Sequence, residues 1–223
     1  MSLRIELSGE AVVLLPERAL LWERTATLIA ADAHLGKAAA FRAAALPLPG
    51  GTTSETLGRL SAALERTEAR RLVLLGDFFH ARAGRAVRTL DAIAAWRERH
   101  APLEVLLVRG NHDRGAGDPP PEWRFRCVNE PFLDPPFAFR HFPREEPGIS
   151  ADGYALAGHI HPVVSLEGEG RWSETLPCFL FRETGGILPA FGAFTGGGRV
   201  RPRPGDRLFA VAGDTVVGIR LAY

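Results

Sequence analysis

Aspartate, asparagine and histidine side chains follow four apolar runs of the sequence, each at the point where the run ends. Residues 71–75 lead into Gly76-Asp77, and residues 25–31 lead into Asp32-Ala33-His34. Two later runs end in the same way, at Gly110-Asn111-His112-Asp113 and at Gly158-His159-Ile160-His161. Carboxylate, amide and imidazole donors together suit Mn²⁺, Fe²⁺ or Zn²⁺ better than Mg²⁺ or Ca²⁺. One histidine after a strand is unremarkable, but four such sets predict a shared metal site.

The elements that must position these side chains are buried strands. The four runs lack polar alternation, which is typical of strands covered on both faces, and open α/β sheets bind ligands beyond the carboxyl ends of their strands. Residues 52–67 and a segment ending near His100 show helical periodicity. Residues 114–136 are expected to be loop-rich, with one short strand at 124–128. Since the chain becomes wholly strand-like after His161, we expect a second sheet packed face to face with the first and helices outside.

Length and composition favour one domain. The net charge excludes an overall positive electrostatic field that would attract nucleic acid. The chain has 223 residues, is 46% hydrophobic and carries a net charge of +1. That size fits a single domain over residues 1–223, and any DNA contact would have to come from local basic patches. No segment reaches the roughly 18 apolar residues of a membrane span, so we expect a soluble, cytoplasmic protein without membrane partners. Cys127 and Cys178 are expected to be free thiols.

The four motifs, in the order Asp-x-His, Gly-Asp, Gly-Asn-His-Asp and Gly-His-x-His, resemble those of the calcineurin-like metallophosphoesterase superfamily. Three weaker features, at residues 34–37, 76–80 and 188–197, are similar to the bacterial ligase-associated DNA-damage-response endonuclease branch. The resemblance implies a four-layer α-β-β-α sandwich of two mixed sheets flanked by helices. It also implies two divalent metal ions, with Mn²⁺ expected and Fe²⁺ or Zn²⁺ as alternatives.

The resemblance also assigns roles to individual side chains. It implies one metal site from Asp32, His34, Asp77 and His161, and a second from Asp77, Asn111, His141 and His159. Asp77 would bridge the two ions, and a hydroxide held between them would attack phosphorus in line. His141 enters this set because the superfamily pattern requires a histidine between the two later motifs, and no other histidine lies in that interval.

Catalytic and substrate-binding candidates lie close to these ligands in the sequence. The resemblance implies that His112 contacts the substrate and either stabilises the transition state or protonates the leaving group. Asp113 would either hold the tautomer of His112 or cap the loop. Four further residues are candidates for contact with substrate phosphates, although each could equally be a solvated side chain: Lys37, Arg199, Arg201 and Arg203. His80, close to a metal ligand in the sequence, could contact the substrate or support that ligand.

The expected function is therefore a metal-dependent phosphodiesterase, acting as a DNA endonuclease or a DNA end-processing nuclease in repair. The alternatives are a small-molecule nucleotide phosphodiesterase or pyrophosphatase and, as a third reading, a metal-stabilised scaffold without catalysis. A DNA ligase and a helicase are partners implied by the family resemblance only. The sequence leaves open whether the chain forms a homodimer.

Overall fold

The computed structural model describes residues 1–46, 51–144, 152–167 and 173–221. Within these ranges the chain forms two sheets and four α-helices. The strands of the first sheet are β1 (Leu3–Leu7), β2 (Glu10–Leu15), β3 (Ala19–Trp22), β4 (Thr27–Ala30), β5 (Arg71–Leu75), β6 (Glu104–Val108) and β7 (Phe125–Val128). Those of the second are β8 (Phe132–Asp134), β9 (Phe137–Phe139), β10 (Tyr154–Ala157), β11 (Pro162–Glu167), β12 (Ser173–Phe181), β13 (Gly185–Ile187), β14 (Gly198–Arg199), β15 (Arg207–Ala212) and β16 (Thr215–Ile219). The helices are α1 (Lys37–Ala43), α2 (Thr52–Thr67), α3 (Val87–Arg99) and α4 (Asn111–Ala116).

The first sheet brings three of the predicted donor sets to one edge. Its strands follow one another in chain order, antiparallel from β1 to β4 and parallel from β4 to β7. Leu28 of β4 is paired with Leu72 of β5, which is in turn paired with Val105 of β6. Since parallel strands in register end together, the residues after β4, β5 and β6 meet at the same place.

The second sheet brings the remaining predicted metal ligands to the site from the opposite side. Strand β10 lies between β9 and β13 and is parallel to both, so the residues after β9 and β10 emerge at a common edge. The segment after β9 leads to His141, and the segment after β10 leads to His159 and His161. The remaining strands extend this sheet to nine, within the part of the chain that the structure describes.

Alternate residues of the central strands pack into two different cores. In β5, Leu72 and Leu74 face a cluster that includes Leu57 and Leu60 of α2 together with Ile93 and Trp96 of α3. Val73 and Leu75 face the second cluster, which contains side chains of the other sheet such as Phe139, Leu156 and Phe179. Burying a side chain of this kind contributes about 1.5–3 kcal/mol. The two cores hold the first sheet between helices and the second sheet, and so fix the edge where the donors meet.

The predicted fold class is confirmed: two mixed sheets of seven and nine strands are flanked by a few helices. The helix predicted over residues 52–67 is α2. Helix α4 lies partly, and strand β8 wholly, in residues 114–136, which were expected to be loop-rich. With six and three residues respectively, these elements are too short for a recognisable apolar periodicity. No helix in the described residues has the length and hydrophobicity needed to cross a bilayer.

Candidate active site

The predicted donor sets lie together where the two sheets meet, and backbone hydrogen bonds hold their segments in place. The amide of His34 donates to the carbonyl oxygen of Asp77 at 2.8 Å, and that of Asp32 donates to Gly76 at 3.2 Å. In the second sheet, Gly158 donates to the carbonyl oxygen of His141 at 3.1 Å. The amide of His159 donates to Asp32 Oδ2 at 2.8 Å and links the two sheets directly.

One group of donors consists of Asp32, His34 and His161. Their candidate ligand atoms all lie within 4.8 Å of one another. The two histidine Nε2 atoms are 3.2 Å apart, and His161 Nε2 is 3.6 Å from Asp32 Oδ1. Imidazole nitrogens this close to each other and to a buried carboxylate form a pocket for a cation.

A second group consists of Asp77, His141 and His159, with Asn111 beside them. His141 Nε2 lies 2.8 Å from Asn111 Oδ1 and 3.2 Å from His159 Nδ1. Asp77 Oδ2 lies 3.6 Å from His141 Nε2 and 3.8 Å from His34 Nε2. Asp77 therefore stands between the two groups, where a bridging ligand would stand.

Backbone carbonyls fix the rings of two histidines. His141 Nδ1 donates to the carbonyl oxygen of Leu75 at 3.0 Å, and His161 Nδ1 donates to that of Gly196 at 2.9 Å. In the neutral ring each Nε2 is then unprotonated and directed into the cluster. Histidines that bind metals commonly have their other ring nitrogen held in this way.

The charges of the cluster fit a bound cation. Asp32 Oδ1 is buried and accepts no hydrogen bond from the described residues, so this oxygen is available to a cation. Burial lowers the pKa of His34 to about 2, with further lowering from the neighbouring His161 and His112. Burial also lowers the pKa of His159 and raises that of the Asp77 carboxyl. The pKa of His161 is raised instead, because its contact with Asp32 outweighs the effect of burial. A mixture of imidazole nitrogens and buried carboxylate oxygens suits a binuclear metal site.

The backbone is strained at the same residues. Five of the seven predicted ligands have positive φ angles: Asp32 (55°), His34 (45°), Asp77 (52°), His159 (69°) and His161 (52°). Each costs roughly 1–2 kcal/mol relative to an ordinary conformation, and such strain is concentrated at functional sites. Close packing is a second requirement. A Cβ at Gly76 would overlap the ring of His141, and one at Gly158 would overlap the carboxylate of Asp32.

His112 lies at the opening of the cluster with one nitrogen anchored. Its Nδ1 donates to the carbonyl oxygen of His80 at 2.6 Å, while Nε2 lies 3.9 Å from Asp77 Oδ2. The side chain is 37% exposed, so a bound substrate can reach Nε2. Asp113 accepts hydrogen bonds from the amides of Gly110 at 2.9 Å and Phe79 at 3.3 Å. Of the two roles left open for Asp113, the structure supports the loop cap.

His80 packs between His34 and His112. Its Nδ1 is 3.3 Å from His34 Nδ1, and its ring is stacked on that of His112 with centroids 5.0 Å apart. These three histidines could also hold an ion. However, a neutral His34 whose Nε2 serves the first group carries its proton on Nδ1, which then donates to His80. The arrangement is better explained as hydrogen-bonded support for His34.

The other predicted substrate residues lie at the rim of the cluster. Lys37 Nζ donates to the carbonyl oxygen of Phe194 at 2.7 Å. Arg199 is exposed in β14, which pairs with β11 directly after His161. Arg201 and Arg203 are exposed farther along the same segment, and the amide of Arg203 donates to Asp206. Their contact with a substrate remains a prediction.

Two further features of the rim were missed by sequence reasoning. A cavity of about 610 Å³ is lined by Arg82, Arg85 and Arg114, next to His112 along α4. The only sequence signal for Arg114 is its position directly after Asn111-His112-Asp113. On the other side of the cluster, Ile160 and Phe194 expose apolar side chains. Ile160 has no neighbouring pattern that distinguishes it from a core residue, whereas Phe194 lies in a glycine-rich run that predicts a loop at the rim without indicating a role for the ring.

Comparison with solved structures identifies the family. The crystal structure of Pseudomonas putida nuclease MPE is 41% identical to this chain, covers 98% of it and 100% of its own chain, and has a TM-score of 0.85. The chain belongs to this metallophosphoesterase family. A phosphoesterase from E. coli, Yfce, is 15% identical over 86% of this chain and 97% of its own, with a TM-score of 0.42. No protein-family model and no curated protein sequence matches the chain.

Proposed function

We propose that this protein is a metal-dependent DNA phosphodiesterase that uses two divalent ions. The observation that carries the proposal is the position of Asp77, whose Oδ2 lies within 3.8 Å of a histidine from each donor group. A carboxylate placed in this way can bridge two ions. Support for DNA as the substrate comes from the 41% identity to a nuclease over nearly the whole chain.

We assign the donors to the two ions as the family resemblance implies. Asp32, His34, Asp77 and His161 would hold one ion, and Asp77, Asn111, His141 and His159 would hold the other. When bound, such a pair of ions neutralises phosphate oxygens and supplies hydroxide near neutral pH. The mixture of oxygen and imidazole donors favours Mn²⁺, with Fe²⁺ or Zn²⁺ as alternatives.

His112 would act on the leaving group. The carbonyl oxygen of His80 holds Nδ1–H, so the nitrogen left free to transfer a proton is Nε2, which lies 3.9 Å from Asp77 Oδ2. A phosphodiester bound over Asp77 would bring its leaving oxygen to that nitrogen, and a positioned acid typically contributes about 10²–10⁴-fold to the rate. Asp113 acts indirectly, by capping the first turn of α4 from which His112 projects.

The open surroundings of the cluster favour a polymer over a small nucleotide. His159 is exposed, and His112 is partly so. Exposed arginines lie on both sides: Arg82 and Arg114 beyond His112, and Arg199 beyond His161. A strand lying across the metal site could place phosphates near both sets. Roles in DNA repair and association with a ligase and a helicase are supported by the family resemblance alone.

The test compares rates on DNA with rates on small substrates. The purified protein, supplied with Mn²⁺, is incubated with an oligonucleotide, an aryl nucleotide diester and a nucleoside diphosphate compound with a pyrophosphate bond. We expect a higher kcat/KM on the oligonucleotide, and loss of all activity in Asp77→Asn. A higher kcat/KM on a small substrate would instead indicate a nucleotide phosphodiesterase or pyrophosphatase. Inactivity on every substrate would favour the scaffold role.

A further inference from the structure

Residues 191–198 form a segment, here called the glycine-rich rim, that is fixed to the metal site at both ends. At its start, the amide of Phe191 donates to Ala31 at 2.7 Å and that of Gly192 donates to the carbonyl oxygen of Asp32 at 3.0 Å. At its end, the amide of Gly198 donates to the carbonyl oxygen of His161 at 3.0 Å. The rim therefore spans from one predicted ligand to another.

The middle of the rim is fixed as well. The carbonyl oxygen of Gly196 accepts the Nδ1 proton of His161, and that of Phe194 accepts a hydrogen bond from Lys37 at 2.7 Å. The amide of Ala193 donates to Thr56 Oγ1 of α2 at 3.3 Å. Despite its glycines, this segment has its backbone held against three separate elements. A side chain that it presents to solvent therefore has a defined position relative to the metal site.

Phe194 is the large apolar side chain that the rim presents. It is 55% exposed and has a φ of 55°, although bulky residues rarely adopt positive φ. It lines a cavity of about 390 Å³ together with His161, Gly196, Pro177 and Arg18. Ile160, which separates His159 from His161, is 40% exposed, and its carbonyl oxygen accepts a hydrogen bond from the amide of Gly198 at 3.1 Å. An exposed aromatic ring, held in a strained conformation beside the metal site and lining a cavity, is a candidate contact for a bound ligand.

We infer that Phe194 is the stacking platform for the nucleobase next to the phosphodiester that is cleaved. This inference rests on the proposed function, because the metal site determines where the phosphate lies. A nucleotide whose phosphate is bound by the ions must place its neighbouring bases at the rim. An aromatic ring is the side chain that accepts a base of any sequence, and Arg18 and Lys37 supply positive charge on the same side. Phe194 thus determines which substrates gain binding energy beyond that of a bare phosphodiester.

The test is a double-mutant cycle between the ring and the base. Phe194→Ala and the unchanged protein are each assayed on an oligonucleotide with one fixed cleavage site, and on the same oligonucleotide lacking the base at the neighbouring position. Stacking is worth about 5- to 160-fold in kcat/KM, from about 1–3 kcal/mol per stacked base. We expect the unchanged protein to lose this factor on the abasic substrate. Phe194→Ala should lose it on the intact substrate and show no further loss on the abasic one.

The controls separate stacking from damage to the site. Phe194→Trp should retain the preference for the intact substrate, because it keeps an aromatic face. Leu133→Ala removes a side chain that is 49% exposed in β8, outside the rim, and should behave as the unchanged protein. The ratio of the two substrates is measured within each variant, so a uniform loss from a displaced Lys37 or His161 cancels.

A binding measurement gives a readout that does not depend on turnover. In a His112→Ala background, an oligonucleotide with 2-aminopurine at the neighbouring position should change fluorescence on binding, and the additional Phe194→Ala change should abolish that signal. The inference would be overturned if the ratio of kcat/KM on intact and abasic substrates were the same in Phe194→Ala and the unchanged protein, and if the double variant kept the fluorescence response. Phe194 would then be a candidate contact for a protein partner. Failure of the unchanged protein to cut any DNA would instead refute the proposed function.

Discussion

Gly76→Ala should destabilise the protein because the new methyl group has no space and an unfavourable backbone. Gly76 has a φ of +82°, and an added Cβ would overlap the His141 ring and lie 2.9 Å from the Cα of Gly110. The positive φ costs about 1–2 kcal/mol for an alanine. Overpacking against a buried ring and a fixed backbone typically costs about 1–3 kcal/mol more. The free energy of unfolding should therefore fall by about 2–5 kcal/mol.

Urea denaturation measures this change, and Gly58→Ala is the matched control. Gly58 lies exposed within α2, and an added Cβ there would meet nothing within 4 Å. The control should raise the free energy of unfolding by about 0.5–1 kcal/mol, since glycine is unfavourable inside a helix. Metal analysis of Gly76→Ala should also show reduced occupancy, because His141 must move. A Gly76→Ala protein with unchanged stability and full metal content would refute the packing argument.

Four further outcomes are expected. His112→Ala should keep its metal content but cut DNA about 10²–10⁴-fold more slowly, and a metal-free preparation would contradict its role outside the ligand set. Chelation should lower the free energy of unfolding, by about 2.7 kcal/mol for each of the two ions relative to protein with free metal at 100 times its Kd, as measured by thermal melts with and without metal. Arg114→Ala should reduce the slope of log K for DNA binding against log salt concentration by about 1, because one phosphate contact is lost. Arg70→Ala, at the opposite end of β5, should leave the slope unchanged, and equal slopes for the two variants would show that Arg114 does not contact DNA phosphates. Burial raises the pKa of the half-buried Cys127 thiol to about 11 and that of the buried Cys178 thiol to about 12, so both should react slowly with a disulfide reagent at mildly alkaline pH until the protein is unfolded, and rapid reaction of Cys178 in the folded protein would contradict its burial.

The sequence predicted the parts of the site that follow from strand ends. Asp32, Asp77 and Asn111 each follow an apolar run, and parallel pairing then brings them to one edge without further information. His141 has no such signal of its own, since β9 before it has only three residues. It was identified only because the family pattern requires a histidine in that interval.

Features that depend on tertiary packing could not be predicted in this way. Asp113 follows His112 directly, yet its carboxylate turns back to the amides of Gly110 and Phe79. The exposure of Phe194 likewise results from hydrogen bonds between its segment and residues more than 130 positions away, such as Asp32 and Thr56. A sequence pattern gives residue types and spacing, but the partner of each polar group is set by the completed fold.

The central claim is tested most directly with covalently closed, single-stranded circular DNA. The protein is incubated with the circles and Mn²⁺, beside a chelated sample and His112→Ala prepared identically. The account predicts that only the unchanged protein with metal converts circles to linear strands. Intact circles in every sample, with no hydrolysis of a short oligonucleotide, would contradict it.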